Sequence, residues 1–142
     1  MSERVPSDHP SVTSLHATLA RSGGTRRPCL RLPDGVAAEE GDVVRLLLDG
    51  ITTYARVVSD STGLLVRGSY DNARLAREPR EGENRLVEWC DEHDRGPDDA
   101  VELDELDPGF CYGLREPGDR LVYDVPARPN ESLQDIASSL RE

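Results

Sequence analysis

The sequence contains no lysine, so all 17 of its basic residues are arginine. Large apolar side chains are also scarce, with one phenylalanine, one tryptophan and one methionine. No apolar run approaches the roughly 20 residues that cross a bilayer, and the stretch MSERVPSDHP lacks the apolar segment of a secretion signal. We therefore expect a cytoplasmic protein with no membrane partner, and a modest core built from valine, leucine and alanine.

The charge balance is strongly acidic, because 28 aspartates and glutamates give a net charge of −11. Such a composition without lysine is similar to that of proteins from halophilic archaea, whose acidic surfaces stay hydrated in multimolar salt. At about 1 M salt the Debye length is roughly 3 Å, so the net charge neither attracts nor repels a distant partner. Arginines in such a protein must act by direct contact.

Three cysteines are an odd number, which argues against a disulfide framework in a cytosolic chain. Cys90 and His93, in the sequence CDEH, have the spacing of half a zinc site, but no second pair of ligands accompanies them. The acidic residues that follow Cys90 would raise the pKa of its thiol and disfavour a thiolate. No nucleophile elbow, phosphate loop or dinucleotide motif occurs. We expect buried cysteines, a solvated His93, and no metal, cofactor or catalytic residue.

Alternation of apolar and polar residues predicts a mainly β protein with short helices. The clearest element is the pair of strands DVVRLLLDG and ITTYARVV, joined by the hairpin signal Asp49-Gly50. Residues 15–21 fit a strand or a helix. Further strands are expected at 28–32, 64–68 and 100–103, and short helices at 36–40, 71–77 and 85–93. Ser69 or Asp71 is the expected cap of the second helix, and Leu86, Trp89 and Cys90 share one face of the third.

The chain is expected to hold one domain. Residues 1–12 lack periodicity and are predicted to be a disordered arm. Residues 13–142 then form a single β-barrel domain with an insertion at 77–98, a hairpin at 109–125 and an amphipathic C-terminal helix at 131–141.

Five stretches, CLRLP, EEGDVVRLLLDG, TTYARVV, GLLVRGSYDNARLA and DDAVELDEL, follow one another as in a double-psi, or cradle-loop, β-barrel. In this order they resemble the N-terminal domain of archaeal valosin-containing-protein-type AAA ATPases, and more weakly the AbrB-type barrels. The likeness favours a strand at 15–21. Through GGTRRPCLRLP, SYDNARLAREPREGENRL and DPGFCYGLREPGDRLVY, the whole chain resembles an uncharacterised haloarchaeal family, which implies no activity.

Arginines concentrate in two stretches that the barrel would bring together. Residues 21–31 contain four arginines and no acid, and residues 67–85 contain five arginines and four acids. The predicted contact surface, here called the arginine face, comprises Arg26, Arg27, Arg67, Tyr70, Arg74, Arg77 and Arg80. Such a face could grip phosphates or carboxylates and stack on bases. Alternatively, the arginines pair with Asp71, Glu78, Glu81 and Glu83 in an internal lattice of ion pairs.

These features favour a small non-enzymatic binding or adaptor module whose partner is a protein or a nucleic acid. An AbrB-like transcriptional regulator is one alternative, and it would require a homodimer with its arginines at half-site spacing. A small enzyme or ligand-binding barrel with a cleft near Cys90 and His93 is the other. That alternative would require a concave pocket with converging polar groups.

Overall fold

A computed structural model describes residues 2–21, 27–78 and 82–127. These residues form nine strands and two helices: β1 (Ser2–Pro6), β2 (Thr13–Arg21), β3 (Pro28–Arg31), β4 (Val43–Leu48), β5 (Ile51–Ser59), β6 (Leu64–Val66), α1 (Ala73–Arg77), α2 (Arg85–Glu92), β7 (Ala100–Asp107), β8 (Cys111–Arg115) and β9 (Val122–Pro126). Neither helix is long and apolar enough to cross a membrane.

Seven of the strands close into a barrel in the order β2-β3-β6-β5-β4-β8-β7, and β7 pairs back with β2. The pairing of β4 with β8 is parallel, and the other barrel pairings are antiparallel. The predicted mainly β barrel with short helices is therefore confirmed, as is the choice of a strand at 15–21. The double-psi form stays a prediction.

Local sequence explains the best-predicted strands. In β2, Ala17 and Leu19 are buried. His16 and Thr18, each of which precedes one of them, are exposed, so the alternation directs one face of the strand inward. Asp49 and Gly50 join β4 to β5 with positive φ angles of 49° and 85°. Left-handed conformation at both turn residues is what a tight hairpin with the natural strand twist requires.

The barrel interior is filled by side chains, mostly leucine, valine and alanine. The cavity that remains among them measures about 10 Å³, barely the space of one water. Leu86, Trp89 and Cys90 of α2 are buried and join this core, as the spacing of the three residues predicted. The part of the interior that the structure describes is therefore filled by side chains.

A two-stranded ribbon of β1 and β9 lies outside the barrel. A buried carboxylate fastens it there: Asp104 of β7 accepts hydrogen bonds from Ser14 of β2 (2.6 Å), Arg115 of β8 (2.8 Å) and the Tyr123 hydroxyl of β9 (2.6 Å). The side chain of Asp104 is fully buried. One acidic residue thus connects three barrel strands to the ribbon.

The ribbon corrects two predictions. The prediction of a disordered arm is wrong for residues 2–6, because they form a strand that pairs with β9. Ser2 lies opposite Pro126, and Pro6 lies opposite Val122. The 109–125 hairpin is also wrong, since β8 pairs with β4 and β7 while β9 pairs with β1. A strand whose partner is more than a hundred residues away leaves no local signal in the sequence.

The helices bring further corrections. Residues 36–40 form no helix; the backbone there bends and turns, and the Glu105 carboxylate accepts from the Ala37 N–H at 3.1 Å. Asn72, rather than Ser69 or Asp71, caps α1 by accepting from the Leu75 N–H at 2.8 Å. The predicted helix at 131–141 lies outside the described residues.

Candidate functional site

Three arginines from three separate segments converge on one cleft of about 180 Å³ on the outside of the barrel. We call it the arginine cleft, and it is lined by Arg56, Val58, Arg67, Gly68, Tyr70, Ala76 and Arg77. The structure thus brings together three members of the predicted arginine face, Arg67, Tyr70 and Arg77. Among the described residues that line the cleft, none is acidic.

Strand register places two of these arginines side by side. Val57 of β5 pairs with Val66 of β6, and both valines are buried in the core. Side chains alternate along a strand, so Arg56, which precedes Val57 on β5, points to the outer face. Arg67 directly follows the end of β6, and both arginines line the cleft.

Arg56 was missing from the predicted face. Its outward direction was readable from the alternation of ITTYARVV, in which Tyr54, Arg56 and Val58 share a face. Its proximity to Arg67 was not readable, because that depends on which strand lies next to β5 and in what register.

Helix α1 supplies the third arginine. Ala76 is buried beneath the helix, and this contact holds the exposed Arg74 and Arg77 at the surface of the last helical turn. Positive charge at that end is favourable to the helix dipole, which accounts in part for both residues. Arg77 lines the cleft, whereas Arg74 lies on the same helix outside it.

Tyr70 is the one aromatic residue of the predicted arginine face. Its side chain is buried, with 8% of the residue exposed. Its backbone exchanges two hydrogen bonds of 2.8 Å with Tyr54 of β5, which ties the segment after β6 to the barrel. Burial raises the pKa of Tyr70, and the charge of Arg27 opposes that rise, so Arg27 lies near the same site. Tyr70 therefore belongs to the wall of the cleft.

Three members of the predicted arginine face remain, Arg26, Arg27 and Arg80. Arg27 is exposed. Arg26 and Arg80 lie outside the described residues.

The alternative prediction was that the arginines form ion pairs with nearby acidic residues, and Arg85 does so. Arg85 forms ion pairs with Asp71 (2.8 Å), Glu83 (2.9 Å) and Glu88 (2.9 Å). In contrast, Arg56, Arg74 and Arg77 form no salt bridge with any residue that the structure describes. Arg85 is thus paired with carboxylates, whereas Arg56 and Arg77 line the cleft without a described carboxylate partner.

The alternative site near Cys90 and His93 does not form a reactive pair. Cys90 is completely buried, and burial raises the pKa of its thiol to about 12. The shallow cleft beside α2, about 70 Å³, is lined by Trp89 and its neighbours but by neither Cys90 nor His93. A thiol that stays protonated and inaccessible is not a nucleophile.

The sequence predicted a solvated His93, but both ring nitrogens contact carboxylates. Its Nδ1 lies 2.7 Å from a Glu116 oxygen and its Nε2 lies 2.8 Å from an Asp49 oxygen, while its ring stacks on Trp89. Burial lowers the pKa of His93, but the hydrogen bonds to Glu116 and Asp49 outweigh it and raise the pKa above the ordinary value. The hydrogen bonds of His93, here called the histidine clasp, therefore connect the end of α2 to the β4–β5 turn and to the segment after β8.

The profile of the family of unknown function DUF7112 matches residues 1–140. The chain belongs to this family. No curated protein and no solved structure matches the chain significantly. Membership in DUF7112 assigns no activity to the chain.

Proposed function

We propose that this DUF7112 chain is a small non-enzymatic binding module of a halophilic cytosol. In this account it contacts a protein or a nucleic acid through the arginine cleft and the arginines around it. The observation that carries the proposal is the convergence of Arg56, Arg67 and Arg77 on one concave surface, in which none of the described lining residues is acidic. A guanidinium presents planar donors that fit carboxylates and phosphates.

Comparison with other arginines of the chain supports this reading. Arg31 and Arg85 each hold two-pronged hydrogen bonds to a single aspartate, Asp60 and Asp71 respectively, at 2.8–2.9 Å. The chain is rich in carboxylates, so arginines that served only the fold could be paired in the same way. Arg56 and Arg77 have no carboxylate partner among the residues that the structure describes, as expected of side chains that contact an external anion.

Two other interpretations receive less support. A ligand-binding barrel would need an interior chamber, and the interior holds about 10 Å³. An enzyme that used Cys90 would need an accessible thiolate, and Cys90 is fully buried. The AbrB-like regulator requires a homodimer, which stays a prediction.

The test is capture of partners from a haloarchaeal lysate in multimolar KCl, with and without nuclease. The bait is the wild-type chain, and the test variant is R56Q/R77Q. The matched control is R4Q/R120Q, because Arg4 and Arg120 are also exposed, with side-chain exposures of 79% and 59%, and lie on or beside the β1–β9 ribbon. Both variants change the net charge by the same amount.

We expect a partner that the wild-type chain and the control retain and that R56Q/R77Q loses. Sensitivity to nuclease would identify a nucleic acid, and resistance would identify a protein. Retention of the same partners by all three baits would contradict the proposal, because the cleft would then contribute nothing to binding.

A further inference from the structure

We propose that His93 is a pH-sensitive latch: loss of one ring proton releases the β4–β5 turn from the end of α2 and opens the cleft beside Trp89. The latch is independent of the arginine cleft and does not rest on the proposed function.

The closed arrangement requires a ring that carries two protons. Nδ1 of His93 lies 2.7 Å from a Glu116 oxygen, and Nε2 lies 2.8 Å from an Asp49 oxygen. A neutral imidazole has one N–H donor and one acceptor nitrogen. Its unprotonated nitrogen would face an ionised carboxylate, which has no proton to donate. Loss of one proton must therefore break one of the two contacts.

The contact with Asp49 is the one that we expect to break. Glu116 is held in place, because Arg95 also binds it at 2.8 Å, and the hydrogen bonds from His93 and Arg95 lower its pKa. The Glu116 side chain is 27% exposed, whereas that of Asp49 is 41% exposed and has no other cation partner among the described residues. Water can therefore replace the ring at Asp49 more easily than at Glu116.

The remaining neighbours of the ring come from α2. The ring of Trp89 stacks on that of His93, with their centroids 4.3 Å apart. The charged residues of α2 that line the adjoining cleft are Arg85, Glu88 and Glu92, and the first two form an ion pair with each other at 2.9 Å. Burial lowers the pKa of His93, but the hydrogen bonds to the two carboxylates outweigh it and raise the pKa. The proton is thus held by the two carboxylates that the ring joins.

The histidine clasp ties together two walls of a cleft of about 70 Å³. Asp49 belongs to the wall formed by the β4–β5 hairpin, and Trp89 belongs to the wall formed by α2. The hairpin also contributes Leu48 and the exposed Ile51 to the lining. Release of Asp49 lets the hairpin wall move away from the helix wall, which exposes the indole of Trp89.

An unpaired donor in Trp89 favours the open form. Its indole Nε1–H is buried and has no hydrogen-bond partner among the described residues. A buried donor without an acceptor costs stability, because it has lost its hydrogen bond to water. The closed form therefore carries a penalty that the two charged hydrogen bonds of His93 offset. Loss of one of these bonds shifts the equilibrium toward the open form.

The experiment measures the access of acrylamide to Trp89, the single tryptophan, in the folded chain at constant KCl concentration. The bimolecular quenching constant is obtained from fluorescence lifetimes across the pH range in which His93 titrates, so that direct quenching by the stacked ring does not enter. Circular dichroism at each pH monitors the fold. Nitrogen-15 resonances of the imidazole, assigned with His93→Gln, report which ring nitrogen keeps its proton.

Three variants accompany the wild-type chain: His93→Gln, Asp49→Asn and the control His16→Gln. His16 is a matched control because it also contacts a carboxylate, that of Glu102 at 2.9 Å, but lies exposed on β2. Asparagine tolerates the left-handed conformation that Asp49 adopts, with φ 49°. The Asp49→Asn variant should therefore keep the hairpin turn.

We expect the quenching constant of the wild-type chain and of His16→Gln to rise with pH. Opening should become at least about tenfold more favourable, the value of one hydrogen bond to a charged group. His93→Gln should be quenched readily at every pH, because a glutamine amide cannot bridge both carboxylates. Asp49→Asn should stay protected at every pH, because its amide group accepts from a protonated ring nitrogen and donates to a neutral one.

A quenching constant of the folded wild-type chain that does not change with pH would overturn the inference. The same pH dependence in Asp49→Asn as in the wild-type chain would overturn it as well. So would a neutral ring that keeps its proton on Nε2, toward Asp49, or a loss of the pH dependence in His16→Gln.

Discussion

The anchoring of the β1–β9 ribbon by Asp104 leads to a strong prediction about stability. Asp104 is completely buried, and its two carboxylate oxygens accept from Ser14, Tyr123 and two nitrogens of Arg115. The substitution Asp104→Ala removes every one of these acceptors at once. It leaves the Tyr123 hydroxyl without its buried acceptor, and Arg115, whose side chain is 12% exposed, without its counterion.

The magnitude follows from what is left behind. Breaking a buried ion pair by removing one partner costs about 3 to 5 kcal/mol. Arg115 retains hydrogen bonds to the Asp119 carbonyl (2.7 Å) and the Ser14 hydroxyl (3.1 Å), so we expect a loss near the lower end, about 3 kcal/mol. Tyr123→Phe removes one donor to a charged acceptor and is expected to cost about 1.5 kcal/mol. A domain of this size has a total stability of roughly 5 to 15 kcal/mol.

Urea unfolding followed by the fluorescence of Trp89 is the assay. Trp89 is the single tryptophan and is buried against His93, so its emission reports on the core. We expect Asp104→Ala to lower the midpoint far more than Tyr123→Phe, with the double variant losing less than the sum because the two residues share a contact. A loss below about 1 kcal/mol for Asp104→Ala, the value of an exposed ion pair, would refute the anchoring role.

Three further predictions concern the ribbon, the histidine clasp and the thiols. Gly113→Ala should cost about 1–3 kcal/mol in the same urea assay, because an added methyl group would collide with the Tyr123 ring; an unchanged midpoint would contradict this packing. The free energy of unfolding should fall as pH rises through the raised pKa of His93, since the protonated ring donates hydrogen bonds to both carboxylates. The variant His93→Gln should remove this pH dependence between pH about 6.5, the pKa of an unperturbed histidine, and the higher pKa of the folded state. An unchanged pH dependence in the variant would contradict the role of these two hydrogen bonds. Thiol reagents should label the cysteines only on unfolding, because all three are buried and the pKa of Cys90 is raised to about 12; rapid labelling of the native chain would contradict this.

Much of the barrel could be predicted because its signals are local. The alternation in β5, the Asp49-Gly50 turn and the apolar face of α2 each depend on residues within one segment. These features identify elements and the face that each buries. They do not identify which strands become neighbours, and the double-psi arrangement that the likeness implies stays a prediction.

The strand at 2–6 and the position of Arg56 were missed because they depend on pairing between distant segments. The strand at 2–6 becomes visible only when β9 lies beside it, and nothing in its own five residues signals that partner. Arg56 enters the site because β6 pairs with β5 in one particular register. Tyr70 was predicted as the aromatic member of the arginine face, but its side chain is buried and its backbone pairs with Tyr54.

The central claim, that the arginines of the cleft bind an anion together, is tested most directly by nuclear magnetic resonance of the arginine Nε–Hε groups. Phosphate is titrated into the labelled chain at constant ionic strength. The account predicts that the signals of Arg56, Arg67 and Arg77 shift together and saturate at one concentration, while those of Arg4 and Arg120 do not move. Signals that do not shift, or that all drift equally without saturation, would contradict it.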